Sequence, residues 1–285
     1  MKLTYAPVGA VWDVSASVRF GKTNATNKLA KQKKDPVSCR GGAPFEFLCD
    51  PSYQDGRYLV QSTDYVNSNV HNNEEHMIVD FLIGRDFNFG TVAKSHISAG
   101  LRYAQLESRT EVDTVASDWR LPLEWVVRDY SQHDRYHGVL AAERQFDGAG
   151  PTLSWDAAKR LWGAEDAGEV DLDWSVAGSI LFGKQKAALE GVEEGEFFED
   201  KYAATWPFLD HTTKVEVDRR RSESVVVPNL ALSLGLSYEV DRFKVSGGYR
   251  WERYFDAIDG GADERKTYDR AIDGPYFKIA VGFGG

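Results

Sequence analysis

The chain has no long hydrophobic run and contains little cysteine, methionine or proline. Its 285 residues include 2 Cys, 2 Met and 9 Pro. No apolar stretch approaches the ~20 residues of a membrane-spanning helix, which excludes a helical membrane protein. Basic residues are outnumbered as well, since 34 Lys and Arg against 44 Asp and Glu give a net charge of −10. This balance does not provide the basic face that nucleic-acid binding needs, so we expect no nucleic-acid partner.

The residues that are abundant indicate a folded all-β protein. Hydrophobic residues make up 42% of the chain and aromatic residues 13%, and there are 26 glycines. This is too hydrophobic for a disordered chain. We expect one domain over residues 1–285. The first residues, Met1–Tyr5, lack the charged and apolar regions of a signal peptide, but this does not argue for a cytoplasmic location.

The two cysteines lie ten residues apart in a polar stretch that contains glycine and proline. Cys39 and Cys49 are typical of a short loop closed by one disulfide, and a disulfide implies an oxidising compartment. The alternative is a pair of free thiols. A metal site is not expected there, because neither a Cys-x-x-Cys motif nor a nearby histidine is present.

The strongest sequence signal is hydrophobicity that alternates with a period of two. In residues 229–240 one face is apolar, from Leu230 to Val240, and the other carries Asn, Ala, Ser, Gly and Glu. A strand separates these sets, whereas a helix would mix them. The pattern predicts eight strands, at 8–22, 76–89, 96–109, 143–156, 171–186, 224–240, 243–256 and 272–284.

The predicted connections alternate between short and long. Residues 90–95, 157–170 and 241–242 are short or moderate, whereas 23–75, 110–142, 187–223 and 257–271 are mostly long and carry many charges. The arrangement is typical of a transmembrane up-and-down antiparallel β-barrel with short periplasmic turns and long extracellular loops. Its first and last strands must pair to close it. Ten or twelve strands would result if residues 58–62 and 121–127 added strands of their own.

The two faces predict which side of this barrel meets lipid. The polar face combines small residues with charges of both signs, which suits the narrow interior of an eight-stranded barrel. The predicted interior charges are Asp13, Arg19, Asp80, Asp86, Arg102, Asp173, Glu239, Lys244, Arg250, Glu252 and Lys278. The apolar face carries aromatic residues near both rims, as in the interface belts of membrane barrels. These predicted belt residues are Trp12, Phe20, Phe87, Trp155, Trp174, Phe182, Tyr238, Trp251, Phe277 and Phe283.

Four short glycine-containing segments carry a family resemblance. They are Gly100–Ala104, Phe146–Leu153, Leu181–Lys186 and Gly274–Phe283. Over roughly residues 75–285 the chain resembles the Legionella major outer membrane protein-like family of bacterial barrels. The resemblance implies an outer-membrane location and a porin-like function, and supplies no catalytic residues. The last strand also resembles the signal read by the barrel-assembly machinery, although Gly284 and Gly285 follow Phe283.

Candidates for chemistry are few and weak. His96 and Ser98 resemble the His-x-Ser pair of some outer-membrane lipid deacylases, but they fall at the predicted periplasmic rim rather than toward the outer leaflet. Two other groups are candidate metal sites. One combines histidines with glutamates, and the other is acidic and suits Ca²⁺. The first consists of His71, Glu74, Glu75 and His76, and the second of Asp256, Asp259, Asp263 and Glu264. Solvated clusters are the favoured interpretation, so no enzyme activity, metal or cofactor is predicted.

Two functions remain from the sequence. The first is a non-enzymatic barrel with a polar, plugged interior and external loops that contact surface partners, lipopolysaccharide or neighbouring copies, after folding by the barrel-assembly machinery. The second is a porin-like channel for small solutes, which requires more strands. A soluble lipocalin-like carrier would need an apolar cavity, and the polar face argues against one.

Overall fold

The chain folds into a single antiparallel β-sheet. The computed structural model describes residues 1–34, 60–89, 93–122, 131–164, 168–200, 208–261 and 264–282. Within them the strands are β1 (Lys2–Tyr5), β2 (Asp13–Lys34), β3 (Val60–Phe89), β4 (Ala93–Pro122), β5 (Ser131–Ala164), β6 (Gly168–Asp200), β7 (Phe208–Val240), β8 (Phe243–Asp259) and β9 (Thr267–Val281). Each strand pairs with the next in antiparallel orientation. The all-β, up-and-down architecture predicted from the sequence is therefore confirmed. Among the described residues there is no helix of the length and hydrophobicity needed to cross a membrane.

All eight predicted strands are present, but most of them are much longer than predicted. The described parts of the segments taken as long loops at 23–75, 110–142 and 187–223 are strand, and this part of the prediction was wrong. Beyond the apolar stretches polar residues predominate, as where Thr26 bonds His71 at 3.0 Å and Ser68 bonds Thr114 at 2.9 Å across neighbouring strands. The backbone ladder continues there, but no hydrophobic alternation marks it. The described parts of 58–62 and 121–127 extend β3 and β4 and add no strand.

The short strand β1 was not predicted. A turn with Gly9 at φ +79° returns the chain so that β1 pairs with β2, and Val18 exchanges backbone hydrogen bonds with Met1 at 2.8 and 2.9 Å. This occupies the edge of β2 that the prediction assigned to the last strand. Among the described residues, no ladder joins β9 to β1 or β2. The sheet thus has nine strands where eight were predicted.

Side chains show that the sheet curls back on itself. Arg19 on β2 reaches Glu252 on β8 at 2.5 Å, although five strands separate them in the sheet. Likewise, Arg270 on β9 reaches Glu74 on β3 at 2.5 Å. The two ends of the sheet therefore face one another across a narrow interior.

Burial is inverted relative to a soluble β-protein. On β7 the apolar residues Leu234 and Leu236 are 58% and 50% exposed, whereas Ala231 and Ser237 on the opposite face are 3% exposed. Strand β5 shows the same inversion, with Leu153 exposed and Thr152 buried. A soluble sheet would bury its leucines. Here the polar face is the inner one, and the apolar face is the outer surface of the sheet.

Glycines on the inner face allow neighbouring backbones to approach closely. A Cβ atom at Gly100, Gly150 or Gly248 would overlap a backbone carbonyl oxygen of the adjacent strand. At Gly138, which also lies on β5, a Cβ atom would meet nothing within 4 Å. Alanine substitutions at Gly150 and Gly138 therefore distinguish the effect of close backbone packing from the general effect of replacing a glycine in a strand.

We expect Gly150→Ala to lower the free energy of unfolding by about 1–3 kcal/mol, because the added methyl group must push the β6 backbone away. Gly138→Ala should be close to neutral. Urea unfolding of the protein inserted in lipid vesicles measures both. Equal effects at the two positions would contradict the close approach of β5 and β6.

Candidate functional site

The inner face carries a buried group of charged residues near the middle of the sheet. Register places Asp80 of β3 directly opposite Arg102 of β4, and Arg19 of β2 lies near both. Strand β8 brings Glu252 to the same point from the far side of the curl. Arg102 is 4% exposed, Asp80 6% and Glu252 0%. We call this group, with Arg250, Asn229 and Tyr254, the central cluster.

Arg102 uses its whole guanidinium group within the central cluster. Its Nε and Nη2 atoms bond the two carboxylate oxygens of Asp80 at 2.6 and 3.2 Å. Its Nη1 atom reaches Asn229 at 2.5 Å and Glu252 at 3.1 Å. The bidentate pairing with Asp80 fixes the plane of the guanidinium, and the remaining donor connects β4 to β7 and β8.

Glu252 is the acceptor on which the cluster converges. Arg19 lies 2.5 Å from its carboxylate, Arg102 3.1 Å and Arg250 3.1 Å. The hydroxyl of Tyr254 donates a further hydrogen bond at 2.9 Å. A fully buried carboxylate requires such compensation, because removing it from water is otherwise very costly.

An apolar layer lies beside the central cluster. It lies toward the end of the sheet where the longer connections join the strands, which we call the long-connection end. The shorter connections join the strands at the other end, the short-connection end. Its largest members, Phe146, Leu106, Ile78 and Leu181, have no solvent exposure. Tyr254 belongs to this layer through its ring and to the central cluster through its hydroxyl group. The sequence prediction described the interior as polar and did not anticipate this layer. At Ile78, for example, the alternation of apolar and polar residues does not reveal an inward apolar side chain, because apolar residues flank it on both sides.

A second charged group lies at the short-connection end. Lys94 bonds Glu169 at 2.6 Å and approaches Glu239 at 3.8 Å, and Arg160 also contacts Glu169. Lys244 lies 3.5 Å from Asp173 and 3.8 Å from Glu239. The sequence analysis selected Asp173, Glu239 and Lys244 but missed the other members.

The opposite end of β8 is held by a buried carboxylate. Asp259 accepts hydrogen bonds from the backbone N–H groups of Gly261 and Lys266, both at 3.1 Å, and pairs with Arg221 at 2.6 Å. Burial opposes its ionisation, but these donors prevail and lower the pKa of Asp259. Of the other predicted Ca²⁺ candidates, Asp256 and Glu264 are exposed. Asp263 lies outside the described residues.

The remaining predicted residues are placed as follows. His96 bonds Asp86 at 2.8 Å and lies 3.6 Å from Asp13, while Ser98 bonds Ser154 at 2.6 Å, so His96 and Ser98 are not joined by a hydrogen bond. Asp86 and Lys278 are exposed. Partners on other strands engage Glu74, Glu75 and His71, namely Arg270, Lys22 and Thr26. Cys39 and Cys49 lie outside the described residues, and their disulfide stays a prediction.

The predicted belt residues that the structure describes lie on the outer face. The exposed members are Trp12, Phe20, Phe87, Trp155, Phe182, Tyr238 and Phe277. Trp174 and Trp251 are half-buried, and Phe283 lies outside the described residues. Trp155 and Trp174 on neighbouring strands pack edge to face, with ring centroids 6.3 Å apart. A cavity of about 290 Å³ is lined by Arg221 and Gly261, among others, and by no residue of the central cluster.

An outer apolar face around a buried charged interior is the inside-out arrangement expected of strands that contact lipid. The family model described as "Legionella pneumophila major outer membrane protein precursor" matches residues 21–283. The chain belongs to this family. The family suspected from the sequence is thereby confirmed, and membership in the Legionella major outer membrane protein family fits a location in the bacterial outer membrane. No curated protein and no solved structure matches the chain.

We expect Glu252→Gln to destabilise this family member by about 3–5 kcal/mol, because three guanidinium groups would lose their shared charge partner. A double-mutant cycle with Arg19→Gln, measured by urea unfolding in vesicles, should show clear coupling. The exposed pair Glu190 and Arg220, 2.6 Å apart, provides the matched control and should contribute little to stability, because water solvates both charges. A change at Glu252 as mild as Glu190→Gln would show that water reaches the central cluster.

Proposed function

We propose that the chain is a non-enzymatic outer-membrane β-barrel whose interior is filled and does not conduct. The observation that carries this proposal is the convergence of Arg19, Arg102 and Arg250 on Glu252. These contacts join β2, β4 and β8 across the curl, at the level where a channel would need open space. The fully buried Phe146 and Leu106 beside the cluster support the same conclusion.

The apolar outer band supports insertion in lipid. On β7 it runs from Val226 to Tyr238, and at a strand tilt near 40° these residues cover roughly 30 Å, similar to the hydrocarbon thickness of a bilayer. Among the aromatic belt residues, Tyr238 ends the band on β7 and Phe182 lies opposite Val226 at its other edge, whereas Trp174 and Trp251 lie opposite Leu234 and Leu232, nearer its middle. We infer that the band is the lipid-facing wall, with the short connections toward the periplasm.

The strands extend well beyond this band, where polar and charged residues predominate and apolar residues such as Val215 are scattered. Exposed charge pairs occur there, such as Lys214 with Glu216 at 2.8 Å and Arg109 with Glu111 at 2.8 Å. Such pairs contribute little to stability, so their presence favours a role at a hydrated surface. We propose that these extensions contact lipopolysaccharide, neighbouring copies or another surface partner, after assembly by the barrel-assembly machinery.

Planar-bilayer recordings test the filled interior. The wild-type protein should give no steady large openings, because the central cluster and the apolar layer occlude the interior. Phe146→Ala removes the phenyl group of that layer and should introduce brief leak openings. Phe182→Ala, which removes the same group from the outer face, should stay silent. Steady openings in the wild type would replace this proposal with the porin-like channel.

The lipid-facing assignment has its own test. Leu234→Arg should cost roughly 2–4 kcal/mol, because an arginine near the bilayer midplane is poorly solvated. Val215→Arg, on the polar extension of the same strand, should cost almost nothing, and Ser233→Ala on the inner face should cost far less than Leu234→Arg. Folding titrations into lipid vesicles measure all three variants. Similar costs for the two arginine variants would contradict the placement of the band.

A further inference from the structure

One oxygen atom of a buried carboxylate at the short-connection end has no hydrogen-bond partner among the described residues. Asp171 on β6 is 2% exposed, and its Oδ2 atom is unsatisfied. Buried polar atoms are paired in the great majority of cases, so each exception calls for a specific cause. A carboxylate oxygen that is buried and unpaired calls for a partner that supplies positive charge or a hydrogen bond.

A second unpaired oxygen lies directly across the ladder. Register places Ser237 of β7 opposite Asp171, and the Ser237 hydroxyl is 3% exposed and also without a partner. Cross-strand neighbours in register point to the same face of the sheet. Two unsatisfied oxygen atoms thus lie on the inner face side by side, and neither satisfies the other.

Two more carboxylates complete the group. Glu169 lies opposite Glu239 in the same ladder, and like charges in that position repel one another. Oxygen atoms of Glu169, Asp171 and Glu239 all lie within 4.8 Å of one another. Ca²⁺ and Mg²⁺ prefer clustered carboxylate and neutral oxygen ligands of this kind.

The nearby basic residues do not donate a hydrogen bond to the unsatisfied oxygen of Asp171, and Lys244 is directed at Asp173 and Glu239. Lys94 and Arg160 are both directed at Glu169, and neither donates a hydrogen bond to Asp171. Lys94 also has a side chain that is 53% exposed, so it can move out into solvent without losing a buried position. The ammonium group thus competes for part of the site and is displaceable.

We propose that Glu169, Asp171 and Glu239, with the hydroxyl of Ser237, form a binding site for one divalent cation, Ca²⁺ or Mg²⁺. The ion joins the start of β6 to the end of β7 at the short-connection mouth of the interior. It supplies the positive charge that Asp171 lacks and relieves the repulsion between the two glutamates. Its binding displaces the Lys94 ammonium group. The site is separate from the central cluster and is independent of whether the protein conducts.

The test is a Ca²⁺ and Mg²⁺ titration of the thermal unfolding midpoint, with protein refolded in detergent free of lipopolysaccharide. A ligand that binds only the folded state raises this midpoint. We expect saturation with a Kd of about 0.1–1 mM, as in extracellular calcium modules. Asp171→Asn and Glu239→Gln should each weaken binding at least about tenfold, and Lys94→Ala should tighten it several-fold by removing the competitor.

Asp86→Asn is the matched control, because it removes an exposed carboxylate at the same end of the sheet and should leave binding unchanged. Glu239 is partly exposed, so Glu239→Gln remains informative if Asp171→Asn fails to fold. Absence of a saturable response in the wild type would overturn the proposal in favour of a protonated Asp171. Unchanged binding in both acidic-site variants would overturn it as well.

Discussion

The burial of Glu252 among three guanidinium groups is the interaction on which the rest of the structure depends. A carboxylate with no solvent exposure is tolerable only while Arg19, Arg102 and Arg250 remain close to it. These arginines come from strands far apart in sheet order, so the sheet must be tightly curled. A tight curl in turn favours glycine and serine on the inner face around the cluster. Leucines such as Leu153, Leu234 and Leu236 lie on the outer face, while Leu106 and Leu181 fill the apolar layer. The inside-out distribution of residues and the charged interior are therefore two results of one constraint.

The interior is layered along the strands. Charged residues fill the short-connection end, the central cluster follows, and Phe146 with its apolar neighbours lies beyond it. Charges that must be paired across the curl specify the register more strictly than apolar contacts do, since apolar groups accept many arrangements. Tyr254 connects the two kinds of packing, because its ring lies in the apolar layer while its hydroxyl bonds Glu252 at 2.9 Å. The same layering separates the part of the sheet that is held by interior side-chain contacts from the polar strand extensions. The extensions are held by the backbone hydrogen bonds between neighbouring strands.

The sequence was informative where one face of a strand differs from the other. Alternation located the core of eight strands, and it drew attention to Arg102 and Glu252. It failed for the extensions around Ser68 and Thr114, because both faces there are polar and nothing marks the period. It also missed Asp171 as a site residue. The importance of Asp171 arises from the register that sets it opposite Ser237, and register is a property of pairing between strands that one strand's sequence does not encode.

The short strand β1 has a topological consequence. Because every neighbouring pair is antiparallel, β1 and β9 run in the same direction at the two free edges of a nine-stranded sheet. A cylinder with an odd number of such strands contains one parallel seam, which is slightly weaker per residue than an antiparallel one. The alternative is strand exchange, in which β9 takes the place of β1 on β2 and makes every pair antiparallel. Sealing the wall without a parallel seam therefore requires β1 to leave the edge of β2 that it occupies in this structure.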